Sequence, residues 1–116
     1  MPLIRMETSK QLDEAQRDEI CRQLSLIVAE VVGKPEEYVQ AIVSRDACVM
    51  RHGGTAGDAA FVEVRSIGGL TPKVNAGLAA RVCELLGRHG IPPVRVYLNF
   101  VEVGATHWGH DGSTFG

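Results

Sequence analysis

The chain lacks several features that would assign it to a well-defined functional class. Its 116 residues carry 12 Lys and Arg against 14 Asp and Glu, a formal net charge of −2, with no basic run. The positive field that attracts nucleic-acid phosphates is therefore missing. No apolar stretch approaches the roughly 20 residues of a membrane span, and no signal-peptide pattern opens the chain. We therefore expect a cytoplasmic protein, with release that needs no signal peptide as an alternative, and neither a nucleic acid nor a membrane as partner.

Cysteine is also scarce. Cys21, Cys48 and Cys83 are odd in number, widely spaced and free of any CxxC pairing. This usage argues against a disulfide framework and against a structural zinc. Cys21 and Cys83 fall in helical patterns with apolar neighbours, where cysteine behaves as a small hydrophobic residue. We expect buried, reduced thiols.

Metal and phosphate motifs are missing as well. His52, His107 and His110 are not accompanied by a carboxylate motif that would fix a coordination geometry. The Gly53-Gly54 stretch has neither the lysine nor the following helix of a phosphate-binding loop. The sequence therefore predicts no metal site and no cofactor.

The patterns that are present predict an alternation of strands and helices. Alternating or apolar-rich runs predict strands at 2–8, 39–45, 61–65 and 94–101. Apolar residues at steps of three and four predict a helix that begins near Asp13 and ends at Gly33. The same periodicity predicts another helix that begins after Thr71 and ends at Gly90.

A repeat relates the two halves of the chain. Each helix ends in Gly, any residue and Pro, followed by a strand bearing Tyr: Gly33, Pro35 and Tyr38, then Gly90, Pro92 and Tyr97. Positions 33 and 90, like 35 and 92, are 57 residues apart. We predict a single α+β domain over 1–116, in which two βαβ units form a four-stranded mixed sheet with both helices on one face.

Two helices leave the opposite face of such a sheet uncovered. That face is expected to carry Phe61, Tyr97 and Val101 beside polar groups. A partly apolar open face is usually buried in a symmetric assembly. We therefore expect a homo-oligomer.

At this point the chain resembles the macrophage migration inhibitory factor family of the tautomerase superfamily, over nearly its whole length. The residues that carry the resemblance are Met1-Pro2 opening a strand, Gly33-Lys34-Pro35 with Tyr38, Ser66-Ile67-Gly68, Val96-Tyr97 with Asn99, and Ser113-Thr114-Phe115. The resemblance implies a homotrimer with active sites at subunit interfaces. It also implies keto–enol interconversion of phenylpyruvate-like 2-oxo acids, with Pro2 as the general base after removal of Met1. The substrate-binding residues it implies are Lys34, Tyr38, Ser66, Ile67, Tyr97, Asn99, Trp108 and Phe115.

The proposed base makes chemical sense only under two conditions. The nitrogen of Pro2 is an amide while Met1 is attached, so it has a basic lone pair only at a mature N-terminus. A general base should also have a pKa near the working pH, and an ordinary prolyl amine is too basic. Burial and a nearby cation such as Lys34 would both lower that pKa.

The sequence departs from the family pattern in ways that leave alternatives open. His110 stands where the family's usual Trp is expected, and Trp108 lies two residues earlier, so either side chain could form that pocket wall. Arg65 is an extra cation, read either as a substrate contact or as an exposed ion-pair residue. A cytokine-like binding protein with a vestigial pocket, or decarboxylation or hydration of a three-carbon acid, are the alternative functions.

Overall fold

Two strand–helix–strand units make up most of the computed structural model, which describes every residue from Met1 to Gly116. A short hairpin follows them near the C-terminus. In chain order the elements are β1 (Leu3–Thr8), α1 (Glu14–Val32), β2 (Gln40–Val43), β3 (Ala60–Ser66), α2 (Pro72–Arg88), β4 (Val96–Glu102), β5 (Gly109–His110) and β6 (Ser113–Thr114).

The four long strands form one mixed sheet in the order β2-β1-β3-β4. The strands within each unit pair in parallel, and the two units meet through the antiparallel pair β1–β3. Leu3 lies opposite both Gln40 of β2 and Arg65 of β3. The start of β1, the start of β2 and the end of β3 therefore share one edge of the sheet. The predicted α+β fold with two βαβ repeats is confirmed.

The helix boundaries follow from the predicted capping residues. Asp13 accepts a hydrogen bond from the Gln16 N–H at 2.7 Å, and the Gln16 side chain accepts one from the Asp13 N–H at 3.0 Å, which completes a capping box for α1. Gly33 ends α1 at φ 77°, a left-handed conformation that glycine adopts without steric cost. Thr71 caps α2, and Pro72 occupies its first turn.

The core lies between the sheet and the two helices. Alternate residues of β1 and β3 are buried on the helix side, and they pack with one apolar stripe from each helix. The side chains with no exposed surface include Ile4 and Met6 from β1, Ile20 and Leu24 from α1, and Leu78 and Leu86 from α2. Ala15, in the first turn of α1, is exposed.

The opposite face of the sheet carries charged and apolar groups together. Glu63 lies between two guanidinium groups, 2.9 Å from Arg65 Nε and 3.7 Å from Arg5 Nη2. Tyr97 is 69% exposed and Ile42 of edge strand β2 is 41% exposed. The expectation of a half-polar, half-apolar open face is confirmed.

Two details of the sequence reading were wrong. β4 begins at Val96 rather than Val94, because residues Pro93–Arg95 form a 3-10 turn in which Val94 is 82% exposed. A matching 3-10 turn at Glu36–Tyr38 follows Pro35. The residue equivalent to Tyr38 in the second unit is therefore Arg95, and the two tyrosines do not correspond.

No helix combines the length and the apolar character needed to cross a membrane. The cytoplasmic location stays a prediction.

Candidate active site

The N-terminus lies in a cavity of about 400 Å³ at the edge of the sheet where β1 and β2 begin. Pro2 is buried there. Its carbonyl accepts a hydrogen bond from the Gln40 N–H at 3.1 Å, which anchors the chain end beside β2. Proline at this position costs no ladder donor, because strand pairing begins only at Leu3. The first residues of the chain are therefore held in place by backbone pairing.

The terminal amine has an environment that disfavours its charged form. Burial, and secondarily the positive charge of Lys34, lower the pKa of the Met1 amino group below its usual value. Lys34 follows the Gly33 cap of α1, and its Nζ donates to the Ile67 carbonyl at 3.3 Å. The amine that Lys34 influences in this structure belongs to Met1, whereas the predicted base is the nitrogen of Pro2.

Aromatic side chains from the C-terminal hairpin form the opposite wall. Trp108, His110 and Phe115 all line the cavity. The His110 and Phe115 rings stack with centroids 5.7 Å apart and planes inclined by 16°. The Phe115 N–H donates to the Trp108 carbonyl at 3.2 Å. The sequence left Trp108 and His110 as alternatives for this wall, and the structure places both in it.

A two-residue turn produces this arrangement. β5 and β6 pair through His110 and Ser113, so that only Asp111 and Gly112 remain in the loop. Both have positive φ, 49° and 85°, the conformation of a type I′ hairpin turn, for which Asp-Gly is a strongly preferred sequence. The Asp-Gly pair was the sequence signal for this hairpin, and the sequence analysis missed it.

Other lining residues were also missed. Tyr38 was predicted, but Glu37, Val39 and Gln40 contribute to the same wall. Gln40 reaches the cavity because it lies opposite Leu3 in the parallel β1–β2 ladder. Aligning the first residues of the two predicted strands would have identified it.

The Ser66-Ile67 connector lies near Lys34 but does not line the cavity around Pro2. Ser66 is fully buried, its Oγ has no hydrogen-bond partner, and its carbonyl accepts from the Val103 N–H at 2.9 Å. Ile67 is half-buried, and its carbonyl holds Lys34. Within one chain, Ile67 therefore positions the lysine and Ser66 fixes the connector.

Tyr97 and Asn99 lie apart from this cavity within the single chain. They pair with Phe61 and Glu63, so that β3 separates them from β1. Asn99 is exposed, and the Tyr97 ring contacts His52, with centroids 4.6 Å apart. One copy of the chain therefore brings together Pro2, Lys34 and the aromatic wall, but neither Tyr97 nor Asn99.

The match to known families covers the complete sequence. Residues 1–116 match the family model described as macrophage migration inhibitory factor. This chain belongs to the macrophage migration inhibitory factor family. The family forms part of the tautomerase superfamily, as the sequence resemblance predicted.

Individual members of the family agree with this assignment. The chain is 32% identical over 116 residues to the macrophage migration inhibitory factor homolog of Trichuris trichiura, covering 99% of this chain and 100% of the relative. A macrophage migration inhibitory factor-like protein from Entamoeba histolytica has a solved structure that is 37% identical, with a TM-score of 0.91 and 98% of each chain covered. The Toxoplasma gondii macrophage migration inhibitory factor structure is 32% identical with a TM-score of 0.92, covering 97% of this chain and 99% of that one.

Proposed function

We propose that this protein is a tautomerase that interconverts the keto and enol forms of phenylpyruvate-like 2-oxo acids, with the Pro2 nitrogen as general base once Met1 is removed. One observation carries the proposal. The Met1 amino group lies in an aromatic-walled cavity, and burial and Lys34 both lower its pKa. Pro2 lines the same cavity, so its nitrogen would take over this environment once Met1 is removed. A base whose pKa lies nearer to neutral pH is suited to proton transfer at carbon.

The reaction needs only proton transfers. The neutral Pro2 nitrogen takes a proton from the carbon beside the ketone, and the electron pair of that C–H bond becomes the new C=C bond. The carbonyl oxygen then takes up a proton to give the enol, and the amine returns to its neutral form. With Met1 attached the same nitrogen is an amide, which has no basic lone pair for the first step.

The substrate carboxylate is assigned to the cation beside the amine. Lys34 would pair with it, and the Ile67 N–H would be a second donor. None of the hydrogen bonds outside helices and strands uses the Ile67 N–H as donor, which leaves it free for this role. Ser66 supports this connector from its buried position. Tyr38, Trp108 and Phe115 would enclose the aryl or alkyl group of the substrate.

The remaining two site residues would come from a neighbouring copy in a homotrimer. Tyr97 and Asn99 are exposed on a partly apolar face beside the unpaired outer edge of β4. A ring of three copies would bury this face. There, the Asn99 amide of one copy would stabilise the developing enolate oxygen in the site of the next, and Tyr97 would complete the wall.

The test is the rate of phenylpyruvate keto–enol exchange, followed by ultraviolet absorbance. Mature protein, checked by intact mass for the loss of Met1, is compared with Pro2→Gly and with wild-type protein that retains Met1. We expect both altered forms to lose about 100-fold or more of kcat/KM, the scale of general-base catalysis.

The Met1-retaining protein is the complementary control, because it keeps the Pro2 ring but changes its nitrogen from amine to amide, with Met1 then lining the cavity. Pro2→Gly instead keeps a free amine and removes the ring. Equal rates for all three forms would overturn the role of Pro2. No activity in any form would overturn the tautomerase proposal and favour the cytokine-like binding protein. Sedimentation at micromolar concentration tests the trimer, since a monomer would leave Tyr97 and Asn99 without a site.

A further inference from the structure

A second cavity, of about 350 Å³, adjoins the one around Pro2. The two share Gln40, Trp108 and Gly109, so the half-buried indole of Trp108 borders both spaces. The second cavity is also lined by Leu3, Arg65 and His107. It therefore combines an aromatic wall shared with the first cavity and a guanidinium, which the first cavity lacks.

One hydrogen bond orients the Arg65 guanidinium, and its other donors are unused. Its Nε donates to Glu63 at 2.9 Å, and its two Nη groups have no partner in the chain. Glu63 is held in turn, because its carboxylate lies 3.7 Å from Arg5 Nη2 and its side chain is only 14% exposed. A guanidinium fixed through Nε presents its remaining donors as a planar fork, the arrangement that binds a carboxylate through two parallel hydrogen bonds.

The position of Arg65 suits a ligand that also reaches the amine. Arg65 lies directly opposite Leu3 in the antiparallel β1–β3 pair, and Leu3 follows Pro2. Standard spacings put the Arg65 Cα within about 9 Å of the Pro2 Cα. A ligand with one aromatic ring between two acidic groups is long enough to span the distance between Pro2 and Arg65.

We infer that Arg65 forms a second anion subsite, so that the preferred substrate is a 2-oxo acid carrying another carboxylate at the end remote from the reacting carbon. This inference rests on the proposed tautomerase function. Lys34 would take the carboxylate beside the ketone, Arg65 would take the remote one, and Trp108 would lie along the ring between them. Arg65 would then determine specificity without taking part in proton transfer.

The experiment compares three substrates that share the phenylpyruvate skeleton: phenylpyruvate, 4-carboxyphenylpyruvate and 4-carbamoylphenylpyruvate. The carbamoyl compound keeps the size and polarity of the carboxylate but removes its charge. We expect wild-type protein to favour the carboxy over the carbamoyl compound by about tenfold or more in kcat/KM, the scale of a charge-assisted hydrogen bond. Arg65→Gln should abolish that preference and leave the rate with phenylpyruvate within about twofold, while Arg65→Lys should keep a reduced preference because it retains the charge but not the fork.

Arg81→Gln is the matched control, because it removes an exposed guanidinium that pairs only with Glu30 and lies outside the cavity. It should retain the preference. Calorimetric Kd values for the same compounds separate binding from turnover. Active wild-type protein that shows no preference for the carboxylate, or a preference that survives Arg65→Gln, would overturn the subsite. Loss of turnover with an intact Arg65-dependent difference in Kd would instead overturn the tautomerase proposal and keep the subsite.

Discussion

The two strand–helix–strand units fold alike, yet the first strand begins beside a cavity in one unit and in fully buried packing in the other. Both helices are followed by a glycine with positive φ, Gly33 at 77° and Gly90 at 85°. Both glycines lead through a proline into a 3-10 turn and then a parallel strand. The backbone framework is therefore common to the two units, and the difference between them lies in side chains.

Two pairs of equivalent positions, each 57 residues apart in the sequence, account for much of this difference. Pro2 precedes β1 and faces the cavity, whereas Ala59 precedes β3 and is fully buried. Lys34 is half-buried beside the amine, whereas Ile91 is part of the core with no exposed surface. The first unit has a cavity-lining proline and a cation where the second has only apolar packing.

A third pair of equivalent positions, Tyr38 and Arg95, also distinguishes the two units. In place of Tyr38, which lines the cavity, the second unit has Arg95. Its guanidinium donates to the Asp58 carbonyl at 3.0 Å, the Thr55 carbonyl at 3.0 Å and the Thr55 hydroxyl at 2.9 Å. These bonds hold the loop before β3 over the turn that leads into β4. Tyr38 therefore forms a cavity wall in the first unit, whereas Arg95 at the equivalent position binds the loop that covers the start of β3.

The largest effect on stability should come from placing lysine at Ile91, the position of the second unit that is equivalent to Lys34. Ile91→Lys would place an ammonium in the core without a partner, and we expect it to lower the free energy of unfolding by about 3 kcal/mol or more. Denaturant unfolding measures this loss. Ile91→Val is the control, for which about 1 kcal/mol is expected. An Ile91→Lys protein as stable as wild type would show that the second unit accommodates a lysine at this position, as the first unit does.

The reverse exchange, Lys34→Ile, should spare folding and impair function. Lys34 is half-buried, and its backbone N–H bond to the Ala29 carbonyl at 3.1 Å does not depend on the side chain. If Lys34 pairs with the substrate carboxylate, kcat/KM for phenylpyruvate should fall about 10- to 100-fold, mainly through KM. Unchanged KM would contradict the assignment of Lys34 to the carboxylate.

The same variant tests the electrostatics of the amine. If the N-terminal amine is the general base, its neutral form is the active one, so kcat/KM should fall as the pH drops through its pKa. Burial and Lys34 lower the pKa of the Met1 amino group, and we expect both to act in the same direction on the Pro2 amine of the mature protein. Removing the lysine charge takes away the smaller of these two causes. The acidic limb of the pH–rate profile should therefore move to higher pH in Lys34→Ile, and an unmoved limb would leave burial as the sole cause.

The parts of the molecule that follow from local chemistry were predictable from sequence. Gly33, Pro35 and the caps Asp13 and Thr71 act on their own backbone, so the helix ends and the repeat could be read directly. The start of β4 was misplaced because the alternation of Val94 with Val96 continues through a proline-induced turn.

The parts that depend on pairing between separate segments were missed, although strand alignment and the Asp-Gly pair held a signal for two of them. Gln40 joins the cavity only through the β1–β2 register. Trp108 and His110 share a wall only because the Asp-Gly turn folds the tail back. Tyr97 and Asn99 lie apart from the cavity in one chain, and their proposed place in the site of a neighbouring copy follows from no pattern within the sequence.

Removing the closing contact of the second unit should have an intermediate effect. Arg95→Met keeps most of the aliphatic stem but loses the donors to the loop over residues 52–58, and we expect a loss of about 1–2 kcal/mol in unfolding free energy. Trypsin cleavage after Arg51 should also become faster. Arg81→Met, which breaks only the exposed ion pair with Glu30, should change stability by less than about 0.5 kcal/mol. Equal cleavage rates in wild type and Arg95→Met would show that the loop is held by other contacts.

The smallest effect on stability should come from the N-termini of the two helices, which are capped by different residues. α1 uses the reciprocal Asp13–Gln16 box, whereas α2 combines the Thr71 hydroxyl, which accepts from the Val74 N–H at 3.2 Å, with Pro72. Asp13→Ala should lower the unfolding free energy by about 1 kcal/mol, because it also removes a negative charge from a helix N-terminus. Thr71→Ala should cost less, since its bond is longer and Pro72 already fixes the first turn at φ near −65°. Thermal unfolding of the two variants beside wild type decides the order, and a larger loss for Thr71→Ala would mean that the proline contributes little to starting α2.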